Sequence, residues 1–154
     1  MTALREAMPV SPRIYMSFDL EHDQDLHDRL LAQARAGSSF SISHQSERGA
    51  MTPEWDERAR ARIGAADQVI VICGEHTDES VRVSAELRMA QEQDKPYLLL
   101  WGRREGMCKK PIGSRSDDPM YGWTPEILRD QIQALLRKSR PREIPASLKR
   151  QSPH

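Results

Sequence analysis

The sequence predicts an α/β domain: a parallel central sheet of four to five strands with helices on both faces, in a flavodoxin-like, doubly wound layout. Three observations predict it. Short β-branched and aliphatic runs alternate along the chain with segments of helical apolar spacing. The clearest run, Val69-Ile70-Val71-Ile72-Cys73-Gly74, is apolar at successive positions, as a central parallel strand buried on both faces must be. Helix-opening and helix-closing residues stand between the runs, notably Thr52-Pro53-Glu54, Thr124-Pro125-Glu126 and Gly37.

The elements follow in order. Residues 1–12 hold Pro9 and Pro12 and read as a flexible leader. Arg13 to Phe18 is a first strand, β-branched and aromatic, running into the acidic stretch Asp19 to Asp25. Leu26, Leu30, Leu31 and Ala34 make a helical stripe that Gly37 closes. Ser39 to Ser43 alternates small polar and apolar residues and reads as a second strand, followed by a polar loop, His44 to Gly49. Thr52 opens a helix to about Ala65, with Trp55, Ala59 and Ile63 four apart.

After the central strand, Ser80 to Gln93 reads as a helix with Val83, Leu87 and Ala90 on one face. Pro96 to Gly102 is a further buried strand, and residues 103–122 form a long loop. Thr124 opens the last helix, whose apolar face is Ile127, Leu128, Ile132, Leu135 and Leu136. The domain thus spans residues 13–138, and 139–154 read as a flexible basic tail. Right-handed crossovers in such an order place ligands beyond the carboxyl ends of the strands. The segments there are Ser17 to Asp23, Ser43 to Gly49 and Gly74 to Ser80.

Composition narrows the function classes. The 154 residues suit one domain, and 23 Lys plus Arg balance 23 Asp plus Glu. A net charge of zero gives no electrostatic argument for a nucleic-acid or membrane partner, neither of which is expected, and leaves self-association unopposed. Two isolated cysteines make neither a disulfide framework nor a zinc site, which fits a cytoplasmic location. Cys73 reads as a small core residue. Cys108, in a basic loop, reads as either a packed or a reactive thiol. No secretory signal and no membrane-length apolar stretch is visible.

Motifs for several chemistries are missing. Neither phosphate-binding glycine pattern occurs, nor the G-x-S-x-G of α/β-hydrolases. The histidines lack metal-ligand spacing; His22 and His27, flanked by acids, fit a solvated helix start, and no metal site is assigned. The acids Asp19, Glu21, Asp23 and Asp25 suggest the acidic pocket of a phospho-acceptor domain, but Cys73-Gly74 stand where the central strand of such a domain ends in an acid. Glu86, early on its helix, can face the strand ends while its neighbours pack inward. Equally, it can be a surface acid favoured by the helix dipole.

Several segments carry a resemblance. Ile14-Tyr15-Met16-Ser17-Phe18-Asp19 resembles the first strand of TIR domains. Ser80-x-Arg82-Val83-x-x-Glu86-Leu87 is similar to the TIR helix motif Ser-x-Trp-Cys-x-x-Glu-Leu, with Arg82 and Val83 in the Trp and Cys positions. Phe40 to Ser46, Cys108 to Pro111, Asp117 to Tyr121 and Trp123-Thr124 resemble corresponding parts of the Thoeris anti-phage TIR-like sensors, so the likeness spans about residues 13–137.

The resemblance implies a TIR-like fold and an NAD glycohydrolase or ADP-ribosyl cyclase activity. NAD would be a substrate, with no cofactor, and a cyclic ADP-ribose-type product would signal to a separate effector in antiviral defence. By position, Glu86 would be the catalytic acid. Phe18, Asp19, His44, Ser46 and Ser80 would bind substrate. The alternative is a non-catalytic module acting through TIR–TIR contacts; a receiver-like or nucleotide-binding protein is the third reading. Geometry separates the first two. The enzyme needs Glu86 in an open cleft near Phe18 and the His44 loop; the adaptor leaves it exposed or salt-bridged.

Overall fold

The computed structural model describes residues 11–37 and 39–139. The expected leader and tail therefore lie outside the described residues, apart from Ser11, Pro12 and Ser139. Pro12, placed in the leader from sequence, is buried, and its carbonyl accepts the Ser41 N–H.

Five parallel strands form one sheet in the order β2-β1-β3-β4-β5. They are β1 (Arg13–Ser17), β2 (Ser41–Gln45), β3 (Gln68–Cys73), β4 (Tyr97–Trp101) and β5 (Met120–Gly122). Four helices connect or cover them: α1 (Gln24–Ala36), α2 (Pro53–Ala65), α3 (Val81–Glu92) and α4 (Pro125–Ser139). A 3-10 turn, Thr77–Glu79, precedes α3. The predicted α/β sandwich is the observed one. Among the described residues, no helix is long and apolar enough to cross a membrane.

The helices form where the sequence encodes their ends. Thr52 Oγ1 accepts the Trp55 N–H and Pro53 opens α2, while Ser80 caps α3 by accepting from Val83. Asp25 in the first turn and Arg35 in the last complement the dipole of α1. Leu26, Leu30 and Ala34 are buried as the stripe predicts.

Strand alternation divides the core into two layers. Ile14, Met16, Ile70, Ile72, Leu98 and Leu100 pack against α1 and α4. Tyr15, Val69, Val71, Cys73 and Leu99 pack against α2 and α3, where Trp55, Ile63 and Val83 meet them. Ile63 is fully buried, and each such side chain contributes about 1.5–3 kcal/mol relative to an exposed one.

Three expectations need correction, and one open alternative, at Cys108, is decided. The second strand starts two residues later than its alternation suggested, because Phe40 turns into the α1 layer and pairing with β1 begins at Arg13↔Ser41. The loop 103–122 contains a strand, β5, which pairs with β4 from Leu99↔Met120 to Trp101↔Gly122. Three residues are too few to carry a periodic signal. Ile127, assigned to the apolar face of the last helix, is 37% exposed, its Cδ1 beside Gly122 of β5. Cys108 is a packed thiol: it is buried, and its sulfur receives the Arg103 N–H at 3.3 Å. Burial pushes the Cys73 thiol up to about 12, as its place in the central strand implies.

The strand order reverses between β1 and β3. The chain steps outward from β1 to β2, then returns to the other side of β1. In open α/β sheets the crevice at such a reversal is the usual ligand position.

Candidate active site

On β1, Tyr15 and Ser17 share the face opposite Ile14 and Met16. That face is covered by α3, whose buried residues are Val83, Glu86, Leu87, Met89 and Ala90. Glu86 is therefore carried inward by its apolar neighbours and has no solvent exposure. A buried carboxylate without partners would cost several kcal/mol. Here Oε2 accepts the Tyr15 hydroxyl at 2.8 Å, and Oε1 accepts the hydroxyls of Ser17 at 2.5 Å and Ser46 at 2.7 Å. Ser46, just after β2, in turn accepts the Phe18 N–H at 3.1 Å.

Burial outweighs these donors. Desolvation raises the Glu86 carboxyl to about 7, although Ser17, Ser46, Tyr15 and the charge of Arg82 all favour its ionised form. Burial, and next the negative charge of Glu86, push the Tyr15 hydroxyl upward. A carboxyl poised near neutrality among hydroxyl donors is the kind of perturbed group that marks functional sites.

Above this cluster, at the strand-order reversal, lies a cleft of about 460 Å³. Asp19, His22, Arg48, Met51, Ser80 and Arg82 are among its walls. Glu86 is not among them. It sits one helical turn along α3 from Arg82 and is covered by the segment after β2. Arg82 secures that segment. Its guanidinium donates to the carbonyls of Glu47 and Gly49, both at 2.7 Å, and lies 5.3 Å from the Trp55 ring centroid. Gly49 has φ +109°, a conformation that favours glycine. Glu47 is also paired with Arg58 and Arg62 of α2.

The open-cleft geometry expected of the enzyme, and the exposed or salt-bridged Glu86 expected of the adaptor, are thus both absent. The carboxylate is sealed and hydroxyl-bonded. Of the residues assigned from sequence, Glu86, Ser46 and the Phe18 backbone come together. The Phe18 ring turns into the α1 layer and meets the His27 ring, tilted by 30° with centroids 4.9 Å apart. Asp19 and Ser80 both line the cleft. His44 stands apart: it is exposed and lines a shallow depression with Gln45, Glu47 and Arg62.

The acidic stretch after β1 does not form an acidic pocket. Arg103 donates to Asp23 Oδ1 at 2.9 Å, to both Asp25 oxygens and to the His22 carbonyl. Asp23 is buried. Desolvation raises its carboxyl, while the hydrogen bond from Arg103 lowers that of Asp25. The Asp23 carboxylate lies over Gly74, where a Cβ would come within 2.3 Å of Oδ2. Asp19, Glu21 and His22 bring ligand atoms within 4.8 Å of one another and could hold a cation. Both Asp19 oxygens are already engaged, by the Glu21 N–H and His22 Nδ1. His22 also stacks on His76 at 4.0 Å, joining the first loop to the 3-10 turn.

Residues 15–104 match the profile of the TIR-like domain of the Thoeris protein ThsB. The chain belongs to this family. The match begins at Tyr15 and takes in Ser17, Ser46, Arg82, Glu86 and Arg103, so this TIR-like domain holds the whole buried cluster. The expected likenesses around Cys108, Asp117 and Trp123 fall beyond the matched residues. The chain is also similar in fold to a prokaryotic SEFIR domain of known crystal structure: TM-score 0.51, 18% identity, over 82% of this chain and 91% of that one. A search of curated proteins finds no match.

Family membership places the chain among TIR-like anti-phage proteins. The Trp position of the TIR helix motif is Arg82, whose guanidinium lies over the buried Trp55 ring. Sequence reasoning passed over Tyr15 and Ser17. The available signal was a pair of hydroxyls on one face of a strand otherwise apolar, which demands a buried partner.

Proposed function

We propose that this TIR-like domain cleaves NAD at the nicotinamide–ribose bond, with Glu86 as its catalytic carboxylate and a cyclic ADP-ribose-type signal as product. One observation carries the reading: Glu86 is wholly buried, and its hydrogen-bond donors are three hydroxyls rather than a cation. Sugar hydroxyls can replace serine hydroxyls in kind. The ribose diol would take the places of Ser17 and Ser46 on Oε1. As the C–N bond breaks, its electron pair leaves with nicotinamide, and the ionised carboxylate stabilises the ribosyl cation electrostatically. A hydroxyl of the ADP-ribose moiety, or water, then adds at that carbon and passes its proton to the Glu86 carboxylate or to bulk water. The product would act on a separate effector.

In this reading the segment 46–51 moves before NAD reaches Glu86, and Asp19 and Ser80 line the approach. Contacts between copies, common among TIR-like domains, would supply that movement. His44, exposed on the far side of the segment, would join only after it shifts.

One observation favours the second reading, a non-catalytic module working through TIR–TIR contacts. Glu86 is sealed and its hydrogen bonds are complete, as in a purely structural polar core. The deciding experiment is incubation with NAD, with and without extract from infected cells, following nicotinamide release. Wild type should release it once triggered and Glu86→Gln should not. Equal release by both would remove Glu86 from the chemistry, and no release under either condition would favour the module.

A further inference from the structure

The guanidinium that holds the segment over Glu86 also faces the cleft. Arg82 is half-buried and lines that space together with Arg48, an exposed residue of the segment itself. Among the described residues neither forms an ion pair with a carboxylate, unlike Arg58, Arg60, Arg62 and Arg103. Their partners are neutral. Arg48 donates to Gln24 Oε1 at 3.1 Å, and Arg82 to the carbonyls of Glu47 and Gly49. Of the acids on the cleft walls, Asp19 accepts from His22 and the Glu21 N–H, and Glu79 lies 3.6 Å from His76.

Release of Arg82 strands no buried group. The Glu47 carbonyl keeps the Trp55 indole N–H at 3.3 Å, and Gly49 is exposed, so water can take its carbonyl. The segment is then held at its start, by the Ser46 N–H on the Met16 carbonyl at 2.9 Å and by Glu47 on Arg58 and Arg62. A guanidinium bonds phosphate oxygens, charged at both ends of the bond, more strongly than it bonds amide carbonyls.

We infer that a diphosphate in the cleft is bound by Arg48 and Arg82 and, by drawing Arg82 off the Glu47 and Gly49 carbonyls, unlatches the segment that covers Glu86. A ligand shifts an equilibrium only by its differential affinity for two states. Here the closed state keeps the Arg82 donors on carbonyls, and the released state offers them to phosphate. Arg48 tethers the segment to the ligand only through a long, rotatable side chain, where the two carbonyls had fixed its backbone directly. The inference rests on the proposed cleavage for its purpose, since NAD carries a diphosphate. The part of the substrate that anchors thereby opens the way for the part that reacts, and contacts between copies act on a segment already freed.

The test is titration with ADP, with calorimetry reading occupancy and amide exchange by NMR reading the Ser46 N–H, which is bonded to Met16 and does not line the cleft. ADP should bind in the submillimolar range, and at saturation the Ser46 amide should exchange about tenfold faster. Inorganic pyrophosphate should act alike, and adenosine should change the rate by less than about twofold. Arg82→Ala, already unlatched, should exchange fast at Ser46 without ligand and gain less than about twofold from ADP. The inference is overturned if ADP fails to bind at millimolar concentration, or if saturating ADP leaves Ser46 exchange unchanged or slows it. It is overturned too if adenosine matches ADP, or if Arg82→Ala responds as wild type does. ADP has no nicotinamide to lose, so this readout and nicotinamide release from NAD can fail separately.

Discussion

The Tyr15 hydroxyl donates to Glu86 Oε2 at 2.8 Å, joining the middle of the first strand to the second turn of α3 across 71 positions of sequence. That bond ties a fully buried acid to a buried phenol, and burial raises the titration of both.

Glu86 makes stability depend on pH. Its folded value, about 7, lies above the ordinary 4.5, so folding takes up a proton between these values. The contribution is fully present below pH 4.5 and is lost as the pH rises through 7. At one proton and roughly 1.4 kcal/mol per unit, about 3 kcal/mol is at stake. Glu86→Gln should flatten this dependence. Urea unfolding at pH 5 and pH 8 checks it: the variant should gain on wild type at the higher pH, and parallel losses in both proteins would refute the assignment.

If the ionised carboxylate does the chemistry, NAD cleavage should rise through about pH 7. Tyr15→Phe removes a donor to the anion while keeping the ring in its layer. The midpoint should then move upward, by about half a unit to one unit. A pH–rate profile of triggered protein reads this directly, and an unmoved midpoint would detach the Tyr15 bond from catalysis.

Arg82→Ala should loosen the segment after β2 without unfolding the domain, since Thr52 still caps α2 and Glu47 keeps Arg58 and Arg62. Two carbonyl contacts and the stack on Trp55 disappear. Amide exchange at residues 46–51 should quicken by about tenfold, a local change of roughly 1.4 kcal/mol. Unchanged exchange there would mean that Arg82 does not hold the segment.

Arg103→Ala strands a buried carboxylate. Asp23 would keep its place over Gly74 with no cation beside it, at a cost of about 2–4 kcal/mol, the lower part of the range reflecting Arg103's partial exposure. Asp23→Ala in the same background should recover a large share. A double-mutant cycle measured by urea unfolding tests this, and additive losses would show that the two side chains are independent.

Most of the architecture was legible because α2, α3 and α4 carry their own starts and the helices show apolar spacing. Thr52, Ser80 and Thr124 proved to be caps, and Trp55, Ala59 and Ile63 proved buried. What escaped was set by pairing rather than by local pattern. β2 is an edge strand, with alternation too weak to mark its ends, and β5 is defined only by its neighbour. The position of Glu86 could be read from the family motif, but its surroundings could not. Its serine partners lie 69 and 40 residues away, and the seal above it depends on Arg82 reaching two carbonyls of another loop.

The carboxylate of Asp23 resting on Gly74 makes the two positions a unit of inheritance. A side chain at 74 has nowhere to go while an aspartate occupies 23, and Asp23 in turn is held by Arg103. Descendants of this chain are therefore expected to change 23 before 74, with 103 released at the same step. Among relatives, a residue larger than glycine at 74 should be accompanied by a small, uncharged residue at 23.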